Sequence, residues 1–189
     1  MWMNKLMMLS ENSRKSATKL LLVNWSRFSN VHISLEGSTL FTGVNGSGKS
    51  TVLDAVTYML TGNTQFNKAA LDRDRNVISY VRGDTKSEGK NRFIREGEVT
   101  SYIAMEFWAP LEKQYLVVGV CIEYVNETSN TKKWFVFKNT RLDDCRFYTE
   151  KDKKVTVYSR RELVVKGKKV LASEFMNRDK GKDIKSVYR

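Results

Sequence analysis

The chain has 189 residues, room for one domain or for part of a larger one, and 41% hydrophobic residues with 11% aromatics are enough to build a core. It carries 33 Lys and Arg against 21 Asp and Glu, a formal charge of +12 that favours a polyanionic partner, nucleic acid first. No stretch reaches the roughly 18 apolar residues of a membrane helix, one proline argues against a proline-rich linker, and no solenoid period recurs. Two cysteines, Cys121 and Cys145, and one histidine, His32, are too few for a usual zinc site. Both cysteines read as packing residues of a reducing compartment, hence the cytoplasm.

In chain order, residues 1–17 read as a flexible polar arm, whose start "MWMNKLMMLS" is too short and lightly charged for a signal peptide. "TKLLLVNW" (18–25) reads as a buried strand and "FSNVHISL" (28–35) as a second, alternating at Phe28, Val31, Ile33 and Leu35. After the turn at 36–38, "STLFTGV" (38–44) reads as a third strand running into a glycine loop. From Lys49 the period becomes helical, with Val52, Leu53, Val56, Met59 and Leu60 on one face and Gly62 placed as a left-handed C-terminal cap.

The loop between that strand and helix is "GVNGSGKS" (43–50), a full G-x-x-x-x-G-K-S/T match in the context such a motif requires. Gly43, Asn45, Gly46, Ser47, Gly48, Lys49, Ser50 and Thr51 are therefore the candidate ligand residues. Glycines let the backbone wrap a phosphate, and the amides with the helix N-terminus supply a positive field. Lys49 would reach the β- and γ-phosphates, Ser50 would be the ligand to Mg²⁺, and Thr51 would bond the α-phosphate; ATP and Mg²⁺ are the expected ligands.

Residues 63–97 are polar and arginine-rich, with one short helix expected near 68–81. Three strands follow, at 98–108, 114–124 and 132–140, an antiparallel meander with turns at Pro110 and "NETSN". The basic stretch 141–189 has helix starts at Ser159, with Glu162 three residues on as in a capping box, and at Ser173.

Hydrolysis would need an aspartate at the end of an apolar run to hold the metal. Asp54 of "STVLD" falls inside the loop's helix, and "TRLDD" has one apolar residue before Asp143 and Asp144. Glu123 ends the best mimic, "LVVGVCIE", but is a glutamate where an aspartate is wanted. No Gly-Gly pair exists for a signature loop, and no N-K-x-D motif reads a guanine.

"LLVNWSRFSNV", "NGSGKSTVLDAVTYMLTGN", "FNKAALDRDRNVISYVRG" and "FIREGEVTSYIAMEF" resemble MukB/MksB-like SMC proteins, and most closely the SMC-type subunits of Wadjet anti-plasmid systems. The resemblance spans residues 18–165 and implies an α/β fold: a P-loop NTPase head of ABC/SMC type, its N-terminal lobe having mixed and antiparallel strands around the P-loop helix. It implies 166–189 as a basic helical segment leading to a coiled coil. It also places Arg73 and Arg75 in an arginine loop near the phosphates or the DNA-facing top, and Trp25-Ser26-Arg27 in the turn beside the adenine. A solvated helix start at "DRDR" and a core tryptophan are the plain alternatives. The Q-loop glutamine has no clear counterpart in Gln65 or Gln114. Implied partners are DNA, held without sequence preference, a C-terminal head lobe, a second SMC-like head, and kleisin-type and accessory subunits. The basic clusters Lys132-Lys133, Lys151-Lys153-Lys154, Arg160-Arg161 and Lys166-Lys168-Lys169 would meet the DNA.

The sequence to Arg189 has no heptad repeat, hinge or C-terminal lobe. The expectation is the ATP-binding half of an SMC-like ATPase, in plasmid defence or chromosome organisation, hydrolysing ATP only when a second lobe completes it. A self-sufficient P-loop kinase or NTPase, and a nucleotide- or DNA-binding fragment without turnover, are the alternatives.

Overall fold

The computed structural model describes residues 14–64, 66, 76–85 and 92–177. Its framework is a six-stranded sheet. Strands β1 (Ser16–Trp25) and β2 (Phe28–Ser34) form one hairpin. Strands β3 (Val99–Ala109), β4 (Gln114–Tyr124) and β5 (Asn130–Lys138) form the expected meander. A short strand β11 (Phe175–Met176) completes the order β11-β5-β4-β3-β1-β2. Every pairing is antiparallel, so the expected mixture of strand directions is not found among the described residues. The first strand starts at Ser16, two residues inside the expected arm.

Both faces of the sheet are buried, which is why β3 does not alternate along its length. On one face Leu20, Leu22, Ile103, Met105, Val118, Val120 and Ile122 meet two helices. These are α1 (Lys49–Thr61) and the short α2 (Val77–Arg82). On the other face Leu21, Val23, Tyr102, Ala104, Val117, Cys121 and Phe135 lie under Leu142, Phe147, Leu163, Val170 and Phe175. That cover is a chain of small pieces. Two 3-10 turns (Leu142–Asp144 and Ala172–Glu174) join strands β6 (Cys145–Arg146), β7 (Tyr148–Lys151), β8 (Lys154–Val157), β9 (Val164–Val165) and β10 (Lys168–Lys169). Glu106 anchors it: the fully buried carboxylate accepts from Thr18 Oγ1 at 2.6 Å and from the Leu142 amide at 2.7 Å.

The helices expected at Ser159 and Ser173 are therefore absent. Ser159 and Glu162 do bond each other, but Oε2 of Glu162 accepts both the amide and the hydroxyl of Ser159 within a single turn. With few apolar residues at helical spacing downstream, nothing prolongs that turn. Ser173 sits inside a three-residue 3-10 turn. Of the expected basic helix 166–189, residues 166–177 are turn, strand and 3-10 turn; the rest lies outside the described residues.

Two further expectations are corrected. Residues 38–44 are not a strand: they pair with no strand among the described residues, and Leu40 and Val44 are 84% and 80% exposed. The P-loop helix buries Val52, Ala55, Tyr58 and Met59, whereas Leu53 is 57% exposed and Val56 and Leu60 are half-buried. Apolar residues cover more than one face of α1, so spacing alone does not identify the side that packs. Of the expected short helix near 68–81, residues 68–75 lie outside the described residues; a helix is present at Val77–Arg82, capped by Asn76, whose Oδ1 accepts from the Ser79 amide at 2.8 Å.

Candidate functional site: a P-loop cavity

The loop at 43–50 leads directly into α1, whose N-cap is Gly48 at φ 104°. A left-handed backbone there suits glycine, and a Cβ would stand 2.8 Å from the Phe28 ring tip of β2. Gly48 thus lets the loop close against the β1–β2 hairpin. The Lys49 ammonium donates to the carbonyls of Gly43 at 2.6 Å and Val44 at 3.0 Å, which holds it over the loop.

A cavity of about 440 Å³ opens beside this loop. One wall is the motif itself, the seven residues from Asn45 to Thr51, Lys49 among them, while Gly43 does not line it. The opposite wall comes from Ser26, Arg27 and Phe28 of the β1–β2 hairpin and from Ser79, Tyr80 and Asp84 around α2.

Trp25 is not part of that wall. It is fully buried, stacked on Tyr80 at 4.6 Å between ring centres and on Tyr58 at 6.2 Å, and its indole donates to the Thr51 carbonyl at 3.1 Å. The plain core reading holds for the tryptophan, while its neighbours Ser26 and Arg27 face the cavity. Arg73, Arg75 and Gln65 lie outside the described residues. Gln114 starts β4 and does not line the cavity.

The acidic candidates are all committed elsewhere. Asp54 is buried and accepts from the Tyr80 hydroxyl at 2.5 Å. Asp143 pairs with Lys19 at 2.5 Å, and that hydrogen bond holds its carboxyl below the usual range. Asp144 accepts from the Arg141 amide. Glu123 accepts from the Arg160 amide at 2.9 Å and faces its guanidinium at 3.3 Å, in a separate groove that contains no P-loop residue. Asp84 is the one carboxylate among the described residues lining the cavity, and Arg92 grips its Oδ2 from Nε and Nη2 at 3.2 and 3.1 Å. No group of three metal-ligating side chains occurs among the described residues.

Sequence reading missed Phe28, Ser79, Tyr80 and Asp84, because their role arises from packing across the fold. The N-x-x-S spacing of Asn76 and Ser79 was the one local signal that could have fixed where α2 begins.

The donor set suits a nucleotide with its cation: a glycine cradle, an ammonium at its centre and the Ser50 hydroxyl beside it. No helix among the described residues is long and apolar enough to cross a membrane. No curated protein matches the chain. Residues 17–73 match the family described as the P-loop containing region of AAA domain, and together with the glycine loop that leads directly into α1 this supports a P-loop ATPase-like domain in that part of the chain.

Proposed function

We propose that this chain is the ATP-binding N-terminal part of an SMC-like ATPase that clamps or moves DNA, of the JetC kind, working in plasmid defence or chromosome organisation in the cytoplasm. The observation that carries this reading is a cavity lined by the glycine loop and Lys49 that holds one carboxylate among the described residues, and that one already gripped by arginine. In this reading the amides of the loop and the Lys49 ammonium would bind and orient the triphosphate, and the Ser50 hydroxyl would ligate Mg²⁺. The bound cation would draw charge from the phosphate oxygens. The remaining groups, a metal-binding aspartate, a water-polarising glutamate and a signature loop, would come from a C-terminal lobe and a second head.

Leu40 and Val44 near the loop and Leu53 on α1 are exposed, which is compatible with a covering lobe. DNA contact is supported by the charge of +12 and by exposed Lys151, Lys153, Lys154, Lys168 and Lys169 at the tips of two small hairpins. Three of the other basic positions are engaged within the fold: Arg160 by Glu123, Lys133 by Asn177 and Lys166 by the Asn139 carbonyl. Kleisin-type and accessory subunits belong to the same proposal.

The test is ATP hydrolysis by the wild type and by Lys49→Ala, each with and without a supplied C-terminal lobe. Turnover that needs both Lys49 and the added lobe supports the reading. Strong Lys49-dependent turnover by the 189-residue chain alone would replace it with a self-sufficient NTPase. Lys49-dependent binding that never becomes turnover, even with the lobe, would leave a nucleotide-binding fragment.

A further inference from the structure

Arg95 makes more hydrogen bonds across separate chain segments than any other side chain described. Its Nε donates to Asn24 Oδ1 at 2.9 Å. One terminal nitrogen donates to the carbonyls of Ser26 at 2.8 Å and Val81 at 3.1 Å, and the other to the Phe28 carbonyl at 2.9 Å. A single planar fork thus ties both ends of the β1–β2 turn to the last turn of α2. Three of its four acceptors are backbone carbonyls that would otherwise be left in a partly buried turn.

The turn it holds is one wall of the cavity. Ser26 and Phe28 line it with Arg27 between them, and Arg95 itself does not line it. The neighbouring contacts are tight. The Ser26 amide donates to the Tyr80 carbonyl at 2.6 Å, and Gly83, at φ 72°, lies so close that a Cβ would be 2.7 Å from the Ser26 carbonyl and 3.0 Å from the guanidinium. Burial lowers Arg95 from the usual arginine range to about 10, so it is a cation at neutral pH.

Loop and wall divide the cavity into two ends. The phosphates belong at the glycine loop with Lys49. What remains of the cavity, lined by Ser26–Phe28 and by Ser79, Tyr80 and Asp84 around α2, is the space left for a nucleoside in the nucleotide-binding reading. We propose that Arg95 is a positioning residue for the nucleoside: by clamping the β1–β2 turn to α2 it fixes the wall against which the base and ribose rest, and so sets the preference for a nucleotide over a bare polyphosphate. This rests on the nucleotide-binding reading above. A mobile wall would charge the bound nucleoside with the ordering that Arg95 supplies in advance.

The experiment compares ATP with inorganic tripolyphosphate, both with Mg²⁺, as ligands of the full chain by titration calorimetry. The proteins are the wild type, Lys49→Ala, Arg95→Lys and Arg95→Met, each checked by thermal melting. Arg95→Met is expected to weaken ATP about tenfold, the size of one lost charge-assisted hydrogen bond, with tripolyphosphate unchanged. Arg95→Lys, which keeps the charge but cannot fork to four acceptors, is expected to fall between. A merely structural role would weaken both ligands in step. Parallel weakening, or an unchanged ratio, overturns the proposal, and if Arg95→Met does not fold the lysine variant decides by the same ratio. If the wild type binds ATP no better than Lys49→Ala does, the nucleotide reading has failed and this inference falls with it. ATP binding that needs Lys49 but ignores Arg95 sinks the inference alone.

Discussion

The indole of Trp25 donates its proton to the carbonyl of Thr51 at 3.1 Å, so the last residue of β1 is bonded to the first turn of the P-loop helix. The ring is also stacked on Tyr80 and lies nearly parallel to Tyr58, one from each helix. Trp25 therefore joins the sheet, α1 and α2 at one point, in contact with the cavity-lining Thr51 and Tyr80. Trp25→Ala is expected to cost about 3–5 kcal/mol of stability, the usual size for a buried tryptophan. Trp25→Phe keeps much of the stack and loses the hydrogen bond, and should cost much less. Urea unfolding of both variants checks the order.

Gly48→Ala separates loop geometry from stability. The new methyl would meet the Phe28 ring and hold a non-glycine residue in the left-handed region, at about 1–2 kcal/mol of strain. ATP affinity is expected to fall at least about tenfold, with only a small change in melting temperature. Adding Phe28→Ala should relieve the steric part and leave the backbone part. Full recovery in the double variant would show that the backbone conformation at Gly48 matters little.

Glu106 tests how the C-terminal cover is held. Its buried carboxylate accepts from Thr18 and Leu142, with Arg141 at 3.7 Å. Glu106→Ala strands these partners and is expected to cost about 3–5 kcal/mol. It should also expose the 3-10 turn at Leu142–Asp144 to protease before the sheet unfolds. Glu106→Gln, which keeps one acceptor, should do less of both. Cleavage at that turn no faster than in the wild type would contradict the anchoring role.

The two thiols give a pH prediction. Burial pushes both Cys121 and Cys145 up to about 12. At neutral pH both stay protonated in the folded chain, so a thiol reagent should label them only after denaturation. The unfolded thiols ionise near about 8.5, so above that pH the unfolded chain has fewer bound protons than the folded one and stability falls as pH rises towards 12. Cys145→Ala should remove one thiol's share, up to about 1.4 kcal/mol per pH unit, from that slope. Urea midpoints of both proteins at pH 8 and pH 10 check it.

For DNA, a filter-binding titration with a random duplex is expected to lose affinity steeply with salt, with a slope near −0.9 for each phosphate neutralised. Charge reversal at Lys153 and Lys154, or at Lys168 and Lys169, should flatten it. Binding that is indifferent to ionic strength would remove phosphate contact from the proposal.

The phosphate grip was legible from residues 43–51 alone, because its chemistry is carried by consecutive backbone amides and by glycines that tolerate the required φ angles. The hairpin and meander strands were legible too, since long runs of β-branched and aromatic residues between turn signals leave few alternatives. What the sequence could not determine depends on neighbours far along the chain. A strand at 38–44 needs a partner to pair with, and among the described residues there is none. Which side of α1 packs was decided by the tyrosines, the tryptophan and the sheet beneath it rather than by its apolar spacing. The opposite wall of the cavity, from Ser26 to Phe28 and from Ser79 to Asp84, exists because Arg95 and Trp25 bring together segments up to 71 positions apart, and no local pattern encodes that distance.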